Sequence, residues 1–359
     1  MKSNLIHKKK WLQHFFHNTE IAIAGGYHFG NLGDIALGNS IKEVLDNKNI
    51  TSELQTIYNL KYWLERSYAI VGGGAIGYEH SLFEIIKRYQ SNYKNVAFMG
   101  VDFNSKNYSD QSIELINKAK FVSTRSKSQA DNLKLITGRS QIYNQPDLAF
   151  SFQRNIFENL RNQNQSNHKK LFVNVLPLYA MFNNGILTPL NQYREERPEI
   201  FDNFSAIQQN YKSLILNYVG NAIKSGIPVF SWSFTPMDET YAKFLFNNLN
   251  VTHLPYNSNP FDIAKIVKPT DDVISTRLHA TIFALRSGAN VLPVAYARKN
   301  EELLKEMGWN ENEFLSVSDL INKDTFPAKS LKAPEAILLN MEKNSTDMIS
   351  KGICELLIG

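Results

Sequence analysis

Short apolar runs that stop at glycine or at Ser-Thr-Arg, each handing over to a helical pattern, recur along this 359-residue chain. Ile21–Ala24 ends in Gly25-Gly26, Tyr68–Val71 in Gly72-Gly73-Gly74, and Phe121–Ser123 in Thr124-Arg125, while Val96–Val101 is a further run of the same kind. Between them Ile35–Leu45, Leu82–Tyr89 and Ser128–Ile136 space their apolar residues as helices do. A strand covered on both faces reads as a continuous apolar run. The pattern therefore predicts an α/β fold with mostly parallel sheets sandwiched by helices.

The alternation resumes after a polar, aperiodic stretch at Arg161–Asn167, with strands expected at Leu171–Val175, Ile227–Trp232, Val251–Leu254, just before Arg277, and at Val291–Ala295. The chain is long for a single core, so two domains are expected, over residues 1–160 and 161–330. Residues 331–359 follow as a C-terminal helix, read over Pro334–Leu357. Leu176–Asn203 shows little periodicity and predicts an irregular insertion or lid.

Composition narrows the partners. A net charge of +5 suits anionic small molecules or an anionic membrane surface and is too small to argue for nucleic acid. Cys354 is the sole cysteine, so no intrachain disulfide is possible, and a reducing, cytoplasmic setting is expected. No apolar run approaches the ~18 residues of a membrane span. The start of the chain sets Lys2, Lys8, Lys9 and Lys10 around Leu5, Ile6, Trp11, Leu12, Phe15 and Phe16. Such a basic amphipathic helix either packs on its own domain or makes peripheral contact with the inner face of a membrane.

Ser275-Thr276-Arg277-Leu278-His279-Ala280-Thr281 carries the clearest chemistry. It joins the apolar Val273-Ile274 to the helical Ile282–Leu285, so a fixed cation and a titratable imidazole stand where a parallel strand meets a helix. That edge is where open α/β sheets bind ligands, beside helix N-termini that attract anions. Arg125 repeats the arrangement in the first half. Gly30-Asn31-Leu32-Gly33-Asp34 opens a helix, where Asp34 serves either as a cap or on a ligand loop. Gly72-Gly73-Gly74-Ala75-Ile76-Gly77 formally matches the dinucleotide fingerprint, with Asp102 at the place of a ribose-binding acid. The fingerprint normally belongs to the first strand, however, and glycines at strand ends also serve tight turns. No metal site is expected: there is one cysteine and no H-E-x-x-H, and His14 and His17 lack a third ligand.

Taken together, the segments resemble the polysaccharide pyruvyl transferase family. The resemblance rests on Gly30–Ala36, Val71–Gly74, Ser123–Ser128, Pro146–Phe150, Ser275–Ile282, Pro293–Tyr296 and Lys299, over roughly residues 20–310. It implies two Rossmann-like domains facing a cleft, as in GT-B glycosyltransferases, with the C-terminal helix crossing back to the first domain. The implied reaction moves the pyruvyl unit of phosphoenolpyruvate onto two hydroxyls of a sugar in a surface polysaccharide precursor, forming a ketal and releasing phosphate. No further cofactor is implied. Carried onto these residues, Arg277, Leu278, His279 and Lys299 would hold phosphoenolpyruvate on the 161–330 side, with Arg125 opposing them from the first domain across the cleft. His279 and Arg277 would be catalytic, with His279 either the proton donor or a phosphate ligand. Asn31, Gly33, Asp34, Gly73 and Gly74 would face the sugar acceptor, whose carrier is a lipid, a nucleotide or a polymer. A GT-B glycosyltransferase using a nucleotide sugar and a non-catalytic glycan-binding protein are the competing expectations.

Overall fold

A computed structural model describes residues 20–27, 30–57, 66–90, 92–103, 107–162, 169–322, 326–327 and 330–358. The basic N-terminal segment, with His14 and His17, lies outside them, as does most of the polar stretch at 161–167. The chain divides into two compact units, Met1–Arg154 with Leu339–Gly359, and Asn155–Leu338.

The first unit is built on β1 (Ile21–Gly25), β2 (Ser52–Thr56), β3 (Tyr68–Gly74), β4 (Val96–Val101), β5 (Phe121–Thr124) and β6 (Tyr143–Asn144). They form one parallel sheet in the order β2-β1-β3-β4-β5-β6. Strands β1, β4 and β5 are buried along their whole length, which is why they read as unbroken apolar runs. The helix Leu32–Asp46 follows β1, and the chain reverses direction across the sheet between β1 and β3. The ligand edge of this unit is therefore the carboxyl ends of those two strands.

The second unit holds β7 (Leu171–Asn174), β10 (Val229–Ser231), β11 (Val251–His253), β12 (Asp272–Ser275), β13 (Asn290–Ala295) and β14 (Leu315–Ser316). Its parallel sheet runs β11-β10-β7-β12-β13-β14, a full Rossmann order whose reversal falls between β7 and β12. The expected irregular insertion contains an antiparallel hairpin, β8 (Ala180–Asn183) with β9 (Ile186–Pro189), and two short helices. The long helix Phe204–Lys224 then packs Ile207, Tyr211, Leu214, Ile215 and Val219 into the core.

The second unit begins ahead of the polar stretch at 161–167. The helix Arg154–Arg161 already belongs to it, with Phe157 edge-on to Phe283 and Arg161 donating to the Arg286 carbonyl at 2.7 Å. The last helix, Glu335–Ile358, starts in the second unit and from Leu339 onward belongs to the first. There it buries Ile349, Ile353 and Leu356, and the Ser345 hydroxyl donates to the Asp147 carbonyl at 3.2 Å. No described helix is long and apolar enough to cross a membrane.

Candidate functional site

In the second unit the reversal between β7 and β12 is pinned residue by residue. Asn174, at the end of β7, is fully buried; its amide donates to the Trp232 carbonyl and its oxygen accepts the Arg277 backbone N–H, each at 2.9 Å. Ser275 and Thr281 share a hydroxyl hydrogen bond of 2.9 Å, and Thr276 pairs with the Tyr211 hydroxyl at 2.8 Å. Burial raises the Tyr211 pKa, so this phenol stays neutral. Asn300 donates to the Thr276 carbonyl at 3.3 Å, tying the start of the helix Arg298–Glu306 to the same turn.

From this turn springs the helix Leu278–Arg286. Arg277 occupies its N-cap position but, being a donor only, cannot cap it; its guanidinium reaches to Asp238 at 2.5 and 2.7 Å and to the Thr235 hydroxyl at 3.3 Å. Leu278 and His279 are buried in the first turn. A helix start with no side-chain cap leaves backbone N–H groups and the positive dipole end for an anion. Lys299 lies half-buried in the first turn of the helix Arg298–Glu306. Among the described residues its ammonium has no ion-pair or hydrogen-bond partner. The second unit thus gathers Arg277, Leu278, His279 and Lys299 at one sheet edge.

Arg125, in the first unit, has different surroundings. Its Nε donates to Asp102 at 2.9 Å, its Nη2 pairs with the second Asp102 oxygen, and its Nη1 donates to Asp147 at 2.7 Å. All three side chains are buried, with Arg125 6% exposed. Two carboxylates therefore neutralise this guanidinium and join the ends of β4 and β5 to the segment after β6. Asp102, the acid placed to meet a ribose in the dinucleotide reading, is occupied by the same pair. The remaining first-unit candidates stand at the β1/β3 reversal. Asn31 caps the helix Leu32–Asp46 by accepting the Gly33 N–H at 3.1 Å, and its amide donates to Asp34 at 2.7 Å. Gly73 and Gly74 take left-handed φ values of 68° and 84°, turning the chain beside Asp34. The Tyr27 hydroxyl donates to the Gly72 carbonyl at 2.6 Å, so the glycine run is lined by the chain's own ring.

Asp238 and Asn174 are the polar groups that sequence reasoning missed. Thr235-Pro236-Met237-Asp238 carries the signature of a helix start, and the structure confirms a capping box there. A cavity of about 220 Å³ lined by Glu301, Asn312, Ser316, Ser318 and Asp319 touches none of the candidate residues.

Residues 31–298 match the family described as polysaccharide pyruvyl transferase. No curated protein matches the sequence. Solved structures similar to this chain include E. coli heptosyltransferase WaaC with ADP, at 13% identity, covering 90% of this chain and 99% of that one, with a TM-score of 0.40. UDP-GlcNAc 2-epimerase from Neisseria meningitidis bound to UDP-GlcNAc is similar at 10% identity over 95% and 99% of the two chains, TM-score 0.46. A functionally uncharacterized protein from Klebsiella pneumoniae subsp. pneumoniae is similar at 16% identity over 86% and 96%, TM-score 0.43.

Proposed function

The chain belongs to the polysaccharide pyruvyl transferase family, and from that premise we propose that it transfers the pyruvyl unit of phosphoenolpyruvate onto two hydroxyls of a sugar in a surface polysaccharide precursor. The observation that carries this reading is the anion-suited edge of the second unit, where an uncapped helix start with Arg277 and His279 follows β12 and Lys299, unpartnered among the described residues, follows the neighbouring β13. A donor bearing a carboxylate and a phosphate needs such a set of donors and charges.

The chemistry balances without a redox cofactor. The first sugar hydroxyl adds to the central carbon of phosphoenolpyruvate as the methylene carbon gains a proton, giving a methyl group. The carbon–oxygen bond to phosphate then breaks, the second hydroxyl closes the ketal ring, and its proton leaves with the phosphate. His279 is the proposed proton donor to the methylene carbon, its ring held in the first helical turn. Lys299, Arg277 and the backbone amides of Leu278 and His279 take the donor anions. Arg125, shared between two carboxylates, is assigned to the scaffold instead. Asn31, Gly33, Asp34, Gly73 and Gly74 are proposed to meet the acceptor.

Incubation of the protein with phosphoenolpyruvate and a glycan acceptor tests the reading. Acceptor-dependent phosphate release, with a pyruvate ketal found on the product by mass spectrometry, is the expected result. Release of a nucleoside diphosphate from a sugar nucleotide would establish a glycosyltransferase in its place. Glycan binding that survives Arg277→Ala and His279→Ala, with no turnover of either donor, would establish a binding protein.

A further inference from the structure

Asp238 is wholly buried at the third position of the helix Pro236–Leu245, yet it does more than begin a helix. One of its oxygens accepts the backbone N–H groups of Phe234 at 3.2 Å and Thr235 at 3.1 Å. The Thr235 hydroxyl accepts the Asp238 N–H at 3.1 Å, which completes the box. The carboxylate then takes both Nε and Nη2 of Arg277, and Thr235 takes Nη2 as well. Arg277 comes from the far side of β7, since the sheet order places β7 between β10 and β12. The box at Thr235 thus reaches beyond its own helix, to a residue at the end of another strand. The cap at Thr235 therefore serves as the seat of a guanidinium.

The pair is also lopsided. Asp238 is 0% exposed at its side chain, whereas that of Arg277 is 22% exposed. A carboxylate locked by two backbone N–H groups cannot follow the arginine, so the arginine is the partner whose geometry is set. We propose that Asp238, assisted by Thr235, is a positioning residue that fixes the guanidinium plane of Arg277 for the anionic donor. This rests on the reading that Arg277 meets that donor. An unheld arginine gives up rotamer freedom when a ligand immobilises it, whereas here folding has already ordered the side chain. The pair is also neutral overall. Arg277 then supplies direction, and Lys299 supplies the net charge that draws an anion in.

Binding of phosphoenolpyruvate, inorganic phosphate and a nucleoside diphosphate to the full chain, measured by calorimetry alongside thermal melting, tests the assignment. Asp238→Asn is expected to weaken whichever anion the native protein binds by about tenfold. It should cost nothing further in an Arg277→Met background, and in turnover the loss should fall on KM for that anion. Asp238→Glu keeps the charge but displaces it by one methylene. It should weaken binding in the same way without a change in salt dependence, and it decides the matter if Asp238→Asn does not fold. Unchanged affinity in the substituted proteins, an equal extra loss without Arg277, or a lowered melting temperature with an unaltered KM would overturn the role. Binding of the nucleoside diphosphate alone would overturn the pyruvyl donor but leave the Asp238 comparison readable on that ligand. Binding of none of the three would overturn both.

Discussion

With three guanidinium nitrogens held by Asp102 and Asp147 and almost no contact with water, Arg125 has exchanged its hydration for two carboxylates. Removing the cation leaves two acids buried together. Arg125→Met is expected to cost about 3–5 kcal/mol of stability, read as a lowered urea midpoint of the first unit. Lys299 presents the opposite case, a half-buried ammonium with no ion pair or hydrogen bond among the described residues to lose. Lys299→Met should leave the melting temperature within a degree or two and raise KM for phosphoenolpyruvate about tenfold, the ~1.5 kcal/mol of one charged hydrogen bond. Gly77 explains the last glycine of the fingerprint-like run: a Cβ there would sit 2.7 Å from the Asp102 carbonyl oxygen and 2.8 Å from the Phe103 Cα. Gly77→Ala should therefore destabilise by about 1–3 kcal/mol, and thermal melting of the purified variant would check it. At this scale Arg277 and His279 were legible because their types and spacing differ from what a strand–helix turn alone requires. Asp238 was not, since a capping acid looks the same in sequence whether or not an arginine from another strand reaches it.

Elements were legible where burial is two-sided. Strands β1, β3, β4 and β5 stand out as apolar runs, but β2 is Ser-Glu-Leu-Gln-Thr and carries no such signal. It lies at the sheet edge, buries Glu53 and Gln55, and balances the acid with Arg66 at 2.9 Å. The β8–β9 hairpin lies in a stretch whose weak periodicity predicts an irregular insertion, although Asn184-Gly185, with φ values of 48° and 84°, is the residue pair a tight hairpin turn demands. The pairing of β10 with β11 gives a pH-dependent prediction. His253, half-buried at the end of β11, shares a 2.9 Å hydrogen bond with Ser231. Burial, with Lys243 adding to it and Glu239 opposing, lowers its pKa below the ordinary 6.5. The unfolded chain therefore binds this proton at a higher pH than the folded one does. The stability is whole above pH 6.5 and is lost as pH falls from there, with a slope of at most ~1.4 kcal/mol per pH unit. Urea midpoints measured from pH 7.5 to 5 should fall, and His253→Gln should flatten that part of the decline.

Across the whole molecule, strand–helix alternation made two parallel sheets readable, yet neither strand order follows from it. Nothing local in the sequence tells β12 to pair with β7, the second unit's first strand, rather than with β11, the strand just before it. The hydrogen bonds that tie this junction, Asn174 to the Arg277 N–H and Tyr211 to Thr276, join residues distant in sequence that meet only once the core closes. The last helix has a comparable long-range role, for it sets Gly352 against Met99 and Phe121 of the first unit's sheet. A chain ending at residue 338 should lose hydrogen-exchange protection in β4 and β5 and keep it in β7 and β12. Equal protection in the full and shortened chains would refute this dependence. The same return of the chain makes the first unit discontinuous in sequence while the second is one unbroken stretch. Cutting the gene into contiguous fragments therefore treats the two units unequally: a piece covering 155–338 carries every strand of its sheet, whereas a piece covering 1–154 carries its sheet without the helix that closes it.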